Sequence, residues 1–187
     1  MTGRPAVFLD RDGTLIEDTG YLSDPDLVQL LPGVGIGLAR LHQAGFLMIV
    51  VTNQSGLARG WITPEQYQAV ADRVAELAAR HGGPLTQQYF CPHLPELSGP
   101  CECRKPGLLL FQQAITEWKV DPVGSWWVGD KVRDVVGARI LGGRALLVSP
   151  DTESDEAREA SALDIALVPD FETAVSRILA GQRFYGP

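Results

Sequence analysis

Asp10 and Asp12 stand two positions apart at the end of an apolar run, Ala6-Val7-Phe8-Leu9, where extended backbone gives way to a turn at Gly13. Two carboxylates this close repel unless a dication holds them together, and the repulsion raises one pKa. That suits a division of labour, one carboxylate ionised as nucleophile or metal ligand and the other carrying a proton. An isolated Asp-x-Asp can equally cap the N–H groups of its own turn, but the full string Asp10-Arg11-Asp12-Gly13-Thr14 after a strand is far more specific. Thr52, followed by Asn53-Gln54-Ser55-Gly56, offers an anion a hydroxyl and successive N–H groups, or else forms a plain Ser/Thr turn. Lys105, between Arg104 and Pro106, can bring positive charge to a phosphoryl group, although an Arg-Lys pair is also an ordinary solvated face. Asp130, in Gly129-Asp130-Lys131-Val132-Arg133-Asp134, is a third carboxylate at a strand exit, enough with water to complete an oxygen-rich Mg2+ site. Three carboxylates, a hydroxyl and a lysine are the parts of phosphoryl transfer: cations neutralise the transferring group and an Asp attacks.

A second constellation uses every cysteine of the chain. Cys91-x-His93 followed by Cys101-x-Cys103 sets three thiolates and one imidazole within thirteen residues, the closed ligand set of structural Zn2+. The alternative is buried thiols beside a surface His. An odd number of cysteines in one short segment argues against a secreted disulfide framework.

These residues need a scaffold that brings distant segments to one place. Short apolar runs over Ala6–Leu9, Phe46–Val51, Leu85–Phe90, Ser125–Val128, Ala145–Val148 and Ile165–Val168 read as strands. Between them lie amphipathic stretches near Val34–Ala44, Leu108–Trp118, Val135–Leu141 and Phe171–Ala180. The clearest helix starts after Thr63 as N-cap, with Pro64 at its first position and Gln66 completing a capping box, and ends at Gly82-Gly83. Strand and helix alternate along nearly the whole chain, so the class is α/β with a mostly parallel sheet flanked by helices. In such sheets the reactive crevice lies beyond the carboxyl ends of the strands. Leu9, Val51 and Val128 each run straight into the polar strings above, which places them on one rim. Residues 1–187 are expected to form one domain, with no cap domain, because helices, strands and the zinc loop use up the intervals between the polar strings. Segment Ser149–Asp164, with six acids and one Arg, reads as a solvated loop or exposed helix without a function.

Composition narrows the partners. Of 187 residues, 16 are basic and 23 acidic, a formal charge of -7, and no Lys/Arg cluster is dense enough to track a phosphate backbone, so nucleic acid is excluded. The longest unbroken apolar stretch, Phe46–Val51, is far short of a membrane span, and the first ten residues lack a signal-peptide pattern. A cytoplasmic monomer without a membrane partner is expected.

Taken together, the residues resemble the haloacid dehalogenase (HAD) superfamily of phosphotransferases, with its Rossmann-like fold. The four motifs match Asp10-Arg11-Asp12-Gly13-Thr14, Thr52, Lys105 and Gly129-Asp130 with Asp134, in order over about two thirds of the chain. More narrowly, Asp18-Thr19-Gly20-Tyr21, Thr52 to Gly60, and Cys91-Pro92-His93 through Cys101-Glu102-Cys103-Arg104-Lys105-Pro106 are similar to the heptose-bisphosphate and histidinol-phosphate phosphatase group. The resemblance implies a small phosphorylated sugar as substrate, Asp10 as nucleophile and Asp12 as acid and base. It implies Mg2+ on Asp10, the Asp12 backbone carbonyl and Asp130, with Asp134 orienting its neighbours. Thr52 and Lys105 would stabilise the phosphoryl group and Arg104 a second phosphate; Asp18, Thr19, Gly20, Tyr21, Asn53, Gln54, Ser55 and Lys131 would line the sugar pocket. Histidinol phosphate, whose amine wants an acidic pocket, is the competing substrate, and a catalytically silent zinc-containing interaction module the competing class. One departure stands out: after Pro106 the chain goes directly to Gly107, two residues sooner than in that group, so the next helix starts nearer Lys105 and the short turn threatens to rotate the lysine away.

Overall fold

The computed structural model describes residues 3–182; the expected domain of residues 1–187 extends at both ends beyond them. In chain order the elements are β1 (Ala6–Leu9), α1 (Val34–Gln43), β2 (Leu47–Asn53), α2 (Ser55–Ala58), α3 (Pro64–Arg80), β3 (Gln87–Cys91), α4 (Pro95–Ser98), α5 (Leu109–Trp118), β4 (Trp126–Gly129), α6 (Val132–Val135), α7 (Gly137–Leu141), β5 (Arg144–Val148), α8 (Asp155–Ala162), β6 (Ala166–Val168) and α9 (Phe171–Gln182). The six strands form one sheet in the order β3-β2-β1-β4-β5-β6, with every pairing parallel. This is the doubly wound α/β arrangement, whose order reverses between β1 and β4.

Both faces of the sheet are covered, which explains why the central strands read as continuous apolar runs rather than alternating ones. Val7, Leu9, Met48, Val50 and Val128 pack on one face against Val34, Leu38 and Leu41 of α1, Val70 and Val74 of α3, and Phe171 and Val175 of α9. Phe8, Ile49, Val51, Trp127 and Leu147 face the other way, onto Leu110, Phe111 and Ala114 of α5, Val132 and Val135 of α6, and Ala160 of α8.

All six expected strands and the strongest helices are present. Thr63 caps α3, its hydroxyl accepting from Gln66 N while the Gln66 side chain accepts from Thr63 N. The helix expected over Val135–Leu141 instead begins at Val132 and runs in two pieces, because Asp134 closes the turn early by accepting from Lys131 N. The acidic segment holds a regular helix, α8, whose Ala157 and Ala160 are buried. The short helices α2 and α4, of four residues each, carry no periodic signal long enough to read.

Candidate active site

Strand register builds the site. Leu9 lies level with Val50 of β2 and Val128 of β4, so the polar strings that follow these strands open on the same rim. Asp10 N donates to Val128 O at 3.0 Å and carries the pairing one residue further. Gly13 turns the chain at φ +85°, and a Cβ there would lie 2.6 Å from Asp130 Oδ2, so this position has room only for glycine against the Asp130 carboxylate.

Asp10, Asp130 and Asp134 each bring a carboxylate oxygen within 4.8 Å of the others. Lys105 lies beneath them, 3% exposed, with Nζ donating to Asp10 Oδ1 at 2.5 Å and Val51 O at 2.6 Å and standing 2.8 Å from Asp134 Oδ1. The shortened turn therefore does not rotate the lysine away. Asn53 pins its backbone from both sides, Lys105 N donating to Asn53 Oδ1 at 3.0 Å and Asn53 Nδ2 to Lys105 O at 3.2 Å. The turn closes tightly, Gly107 N donating to Arg104 O at 2.7 Å.

Burial pushes the Asp10 carboxyl up to about 8; Lys105 pulls against it, while Asp134 and Asp12 reinforce it. Burial and then Asp134 also raise Asp130, against Lys131. For Lys105 burial opposes the charge, but Asp10 and Asp134 outweigh it and hold the ammonium above the ordinary lysine range. Carboxylates gathered in this way favour a hard, oxygen-seeking dication, and the donor set fits Mg2+. Asp134 shows the orienting contacts expected of it, to Lys105 and to Lys131 N at 3.1 Å, and also brings an oxygen into the carboxylate cluster.

The Asp12 side chain is held separately. Arg11, 2% exposed, donates from Nε at 3.1–3.2 Å and from Nη2 at 3.0 Å, and its guanidinium lies 5.6 Å from the Tyr67 ring centroid. Gln54 Nε2 donates to Asp12 Oδ2 at 2.8 Å and to Thr52 Oγ1 at 2.9 Å. Arg11 and the inward-facing amides of Asn53 and Gln54 are thus bound to the catalytic candidates themselves, contacts that motif reading did not assign.

A cavity of about 240 Å³ opens above these groups. Asp10, Asp12, Thr52, Asp130 and Asp134 lie in its wall, joined by Asp18, Gly20, Tyr21, Asn53, Gln54, Ser55, Arg104 and Lys131. Thr19 is exposed on the same loop and is not part of the wall. Arg133 is part of it, and the sequence reading passed it over; a cation between Lys131 and Asp134 was the available signal. Tyr21 meets Trp61 edge-on, ring centroids 4.6 Å apart, at one side of the cavity.

The second constellation also converges. The ligand atoms of Cys91, His93, Cys101 and Cys103 all lie within 4.8 Å of one another. Ligands on a tetrahedron with Zn–S of about 2.3 Å stand about 3.8 Å apart. Here Cys91 Sγ is 3.7 Å from Cys101 Sγ and from His93 Nδ1, Cys103 Sγ is 3.5 Å from Cys101 Sγ, and the remaining contacts of Cys103 are 3.0 and 3.1 Å. Burial pushes the Cys91 thiol up to about 12 and raises Cys103, whereas at Cys101 burial is outweighed by hydrogen bonds from the Arg104 backbone and the other thiols, which lower it; holding all three as thiolates takes positive charge. A soft dication supplies it, and the donors fit zinc. Arg104 Nη1 donates to His93 O at 3.1 Å and ties this centre to the cavity.

Known proteins resemble this chain in sequence and fold. The HAD-hydrolase-like family model matches residues 102–174. The D-glycero-beta-D-manno-heptose-1,7-bisphosphate 7-phosphatase of Haemophilus ducreyi is 44% identical over 145 residues, 75% of this chain and 80% of its own length. The Photorhabdus laumondii protein of the same name is 34% identical over 183 residues, 94% of this chain and 97% of its own. Among solved structures, D,D-heptose 1,7-bisphosphate phosphatase from B. bronchiseptica, complexed with magnesium and phosphate, matches with a TM-score of 0.81 at 30% identity, over 95% of this chain and 99% of that one. By motif order, strand topology and relatives alike, the chain belongs to the haloacid dehalogenase-like hydrolase superfamily, in the branch that these heptose-bisphosphate phosphatases represent.

Proposed function

We propose that the protein is a Mg2+-dependent phosphomonoesterase that removes the 7-phosphate of D-glycero-D-manno-heptose 1,7-bisphosphate. The observation that carries this reading is the meeting of Asp10, Asp130 and Asp134 over Lys105, at the floor of a cavity whose wall holds Arg104 and Lys131. Relatives at 34–44% identity bearing that activity's name support the choice of substrate.

Asp10 attacks phosphorus in line, and the bond from phosphorus to the sugar oxygen breaks as Asp12 passes its proton to the departing alkoxide. This leaves an aspartyl-phosphate on Asp10. Asp12, now ionised and still gripped by Arg11 and Gln54, takes a proton from water, whose oxygen displaces Asp10 from phosphorus and releases inorganic phosphate. Thr52 donates to the phosphoryl oxygens through both steps, while Lys105, its three N–H groups taken by Asp10, Asp134 and Val51 O, holds the Asp10 carboxylate from beneath and adds positive charge to the site. Asp10, the Asp12 backbone carbonyl and Asp130 would hold Mg2+, which would supply charge that favours ionised Asp10 and neutralises the phosphoryl group. Arg104 and Lys131 receive the second phosphate, and Asp18, Gly20, Tyr21 and Ser55 border the sugar. Cys91, His93, Cys101 and Cys103 would hold zinc away from the reacting atoms, where it would fix the loop leading to Arg104-Lys105.

With Mg2+ present, phosphate release should be fastest from a heptose bisphosphate, compared with histidinol phosphate and a 5′-phosphorylated oligonucleotide. Equal or faster release from histidinol phosphate overturns the sugar assignment; no release from any of them overturns the phosphatase reading.

A further inference from the structure

Glu156 belongs to the acidic segment that the sequence marks only as a charge run, yet its carboxylate reaches out of α8 to the loop carrying Asp130, Lys131, Arg133 and Asp134. Glu156 Oε2 accepts from Val132 N at 2.5 Å, across 24 positions of sequence. Val132 opens α6, a helix of four residues whose first N–H groups have no partner inside the helix. Asp134 satisfies Lys131 N from within the loop; Val132 N depends on Glu156. The neighbouring acids serve local ends: Asp151 Oδ1 accepts from Glu153 N, and Asp155 pairs with Arg158. The helix that presents Glu156 is itself anchored, by Ser154 at its N-cap and by Ala157 and Ala160 in the core.

We propose that Glu156 is a positioning residue: by bonding Val132 N it locks the 129–134 loop so that Asp130 and Asp134 face Asp10. This rests on the reading of those carboxylates as the Mg2+ site. Without the bond the N–H at the start of α6 loses its acceptor, and the loop keeps only the Asp134 tie on that side. Local packing of Val132, 3% exposed, holds the helix in place, so the effect falls on the aim of Asp130 more than on the fold.

The test compares Glu156→Ala with Glu156→Gln, whose side-chain carbonyl still accepts a hydrogen bond. Alanine favours helix, so α8 stays formed. Mg2+ binding measured by calorimetry should weaken on the order of tenfold in Glu156→Ala, the lower end of what outer partners of a metal site contribute. Exchange of the Val132 amide should accelerate in the same variant, and Glu156→Gln should restore both to near the wild-type values. A fall in unfolding temperature with unchanged Mg2+ affinity overturns the proposal, and so does Glu156→Gln behaving like Glu156→Ala. If the wild type binds Mg2+ but releases phosphate from no phosphomonoester, the functional reading fails, while the calorimetric and exchange measurements still decide the role of Glu156.

Discussion

At the scale of single residues, the site stores unfavourable charge that a cation relieves. Asp10 is pushed up to about 8 chiefly by burial, so below that pH the metal-free protein holds a proton there that Mg2+ must displace. The apparent Mg2+ affinity should therefore rise with pH, by up to about tenfold per unit, and level off above about 8; calorimetric titrations across this range check it. The raised pKa has a second consequence, in stability. A carboxyl favoured in its protonated form contributes stability that is fully present below its unfolded value and is lost as pH rises through the folded one. Metal-free protein should accordingly unfold at a lower temperature at pH 9 than at pH 6, and Asp10→Asn should blunt that loss while abolishing phosphate release. Retained turnover in Asp10→Asn would remove the proposed nucleophile. Arg104, in the cavity wall, should act on one substrate class: Arg104→Ala raises KM for a bisphosphate well above its effect on a monophosphate, and equal effects in steady-state kinetics would count against the second-phosphate role.

At the scale of elements, the loop between β3 and α5 links the thiol cluster to the cavity. His93, one of the four metal-fitting residues, gives its backbone carbonyl to Arg104, and Lys105 follows directly. Metal analysis should find about one zinc per chain, as a closed four-ligand site requires. Stripping it with a strong chelator, then restoring Mg2+, should lower kcat/KM on the order of tenfold or more through the freed Arg104-Lys105 segment, with recovery on adding zinc back. Activity untouched by zinc removal would separate the two centres. The well-formed cap of α3, by contrast, is remote from chemistry in its role: Thr63 and Gln66 stabilise the helix that presents Tyr67 beneath Arg11.

At the scale of the whole molecule, a sheet covered on both faces makes the rim rigid. Trp127 of β4 is fully buried two residues before Gly129, stacked on Phe8 of β1 at 4.5 Å between centroids and meeting Phe111 of α5 at 5.9 Å. It joins the two strands that deliver Asp10 and Asp130 to one helix layer. Trp127→Ala should cost about 3–5 kcal/mol in denaturant unfolding, as large core truncations do, whereas Asp10→Asn leaves this packing intact. Among the described residues no helix is long and apolar enough to cross a membrane, in keeping with the absence of any long apolar run in the sequence.

Much of this was legible in the residues alone. The strands announced themselves as β-rich apolar runs, α3 through its capping box, and the Cys/His cluster through donor types and spacing, because propensity, capping and ligand chemistry act over a few positions of chain; the carboxylate cluster joins Asp10 to the distant Asp130 and Asp134, and there the sequence shows only acids at strand ends. The placement of Lys105 was not: a local count of residues after Pro106 suggested that it turns away, and the opposite holds because Asn53, from a strand 52 positions distant, grips its backbone. Nor could the amphipathic pattern tell that Glu156 bonds the start of α6, that Gln54 bonds Asp12, or that Arg133 reaches the cavity wall. Those contacts join segments whose proximity is created only when the parallel strands align and the helices pack against them, and a side chain's partner across that distance is decided by register and packing, not by its neighbours in sequence.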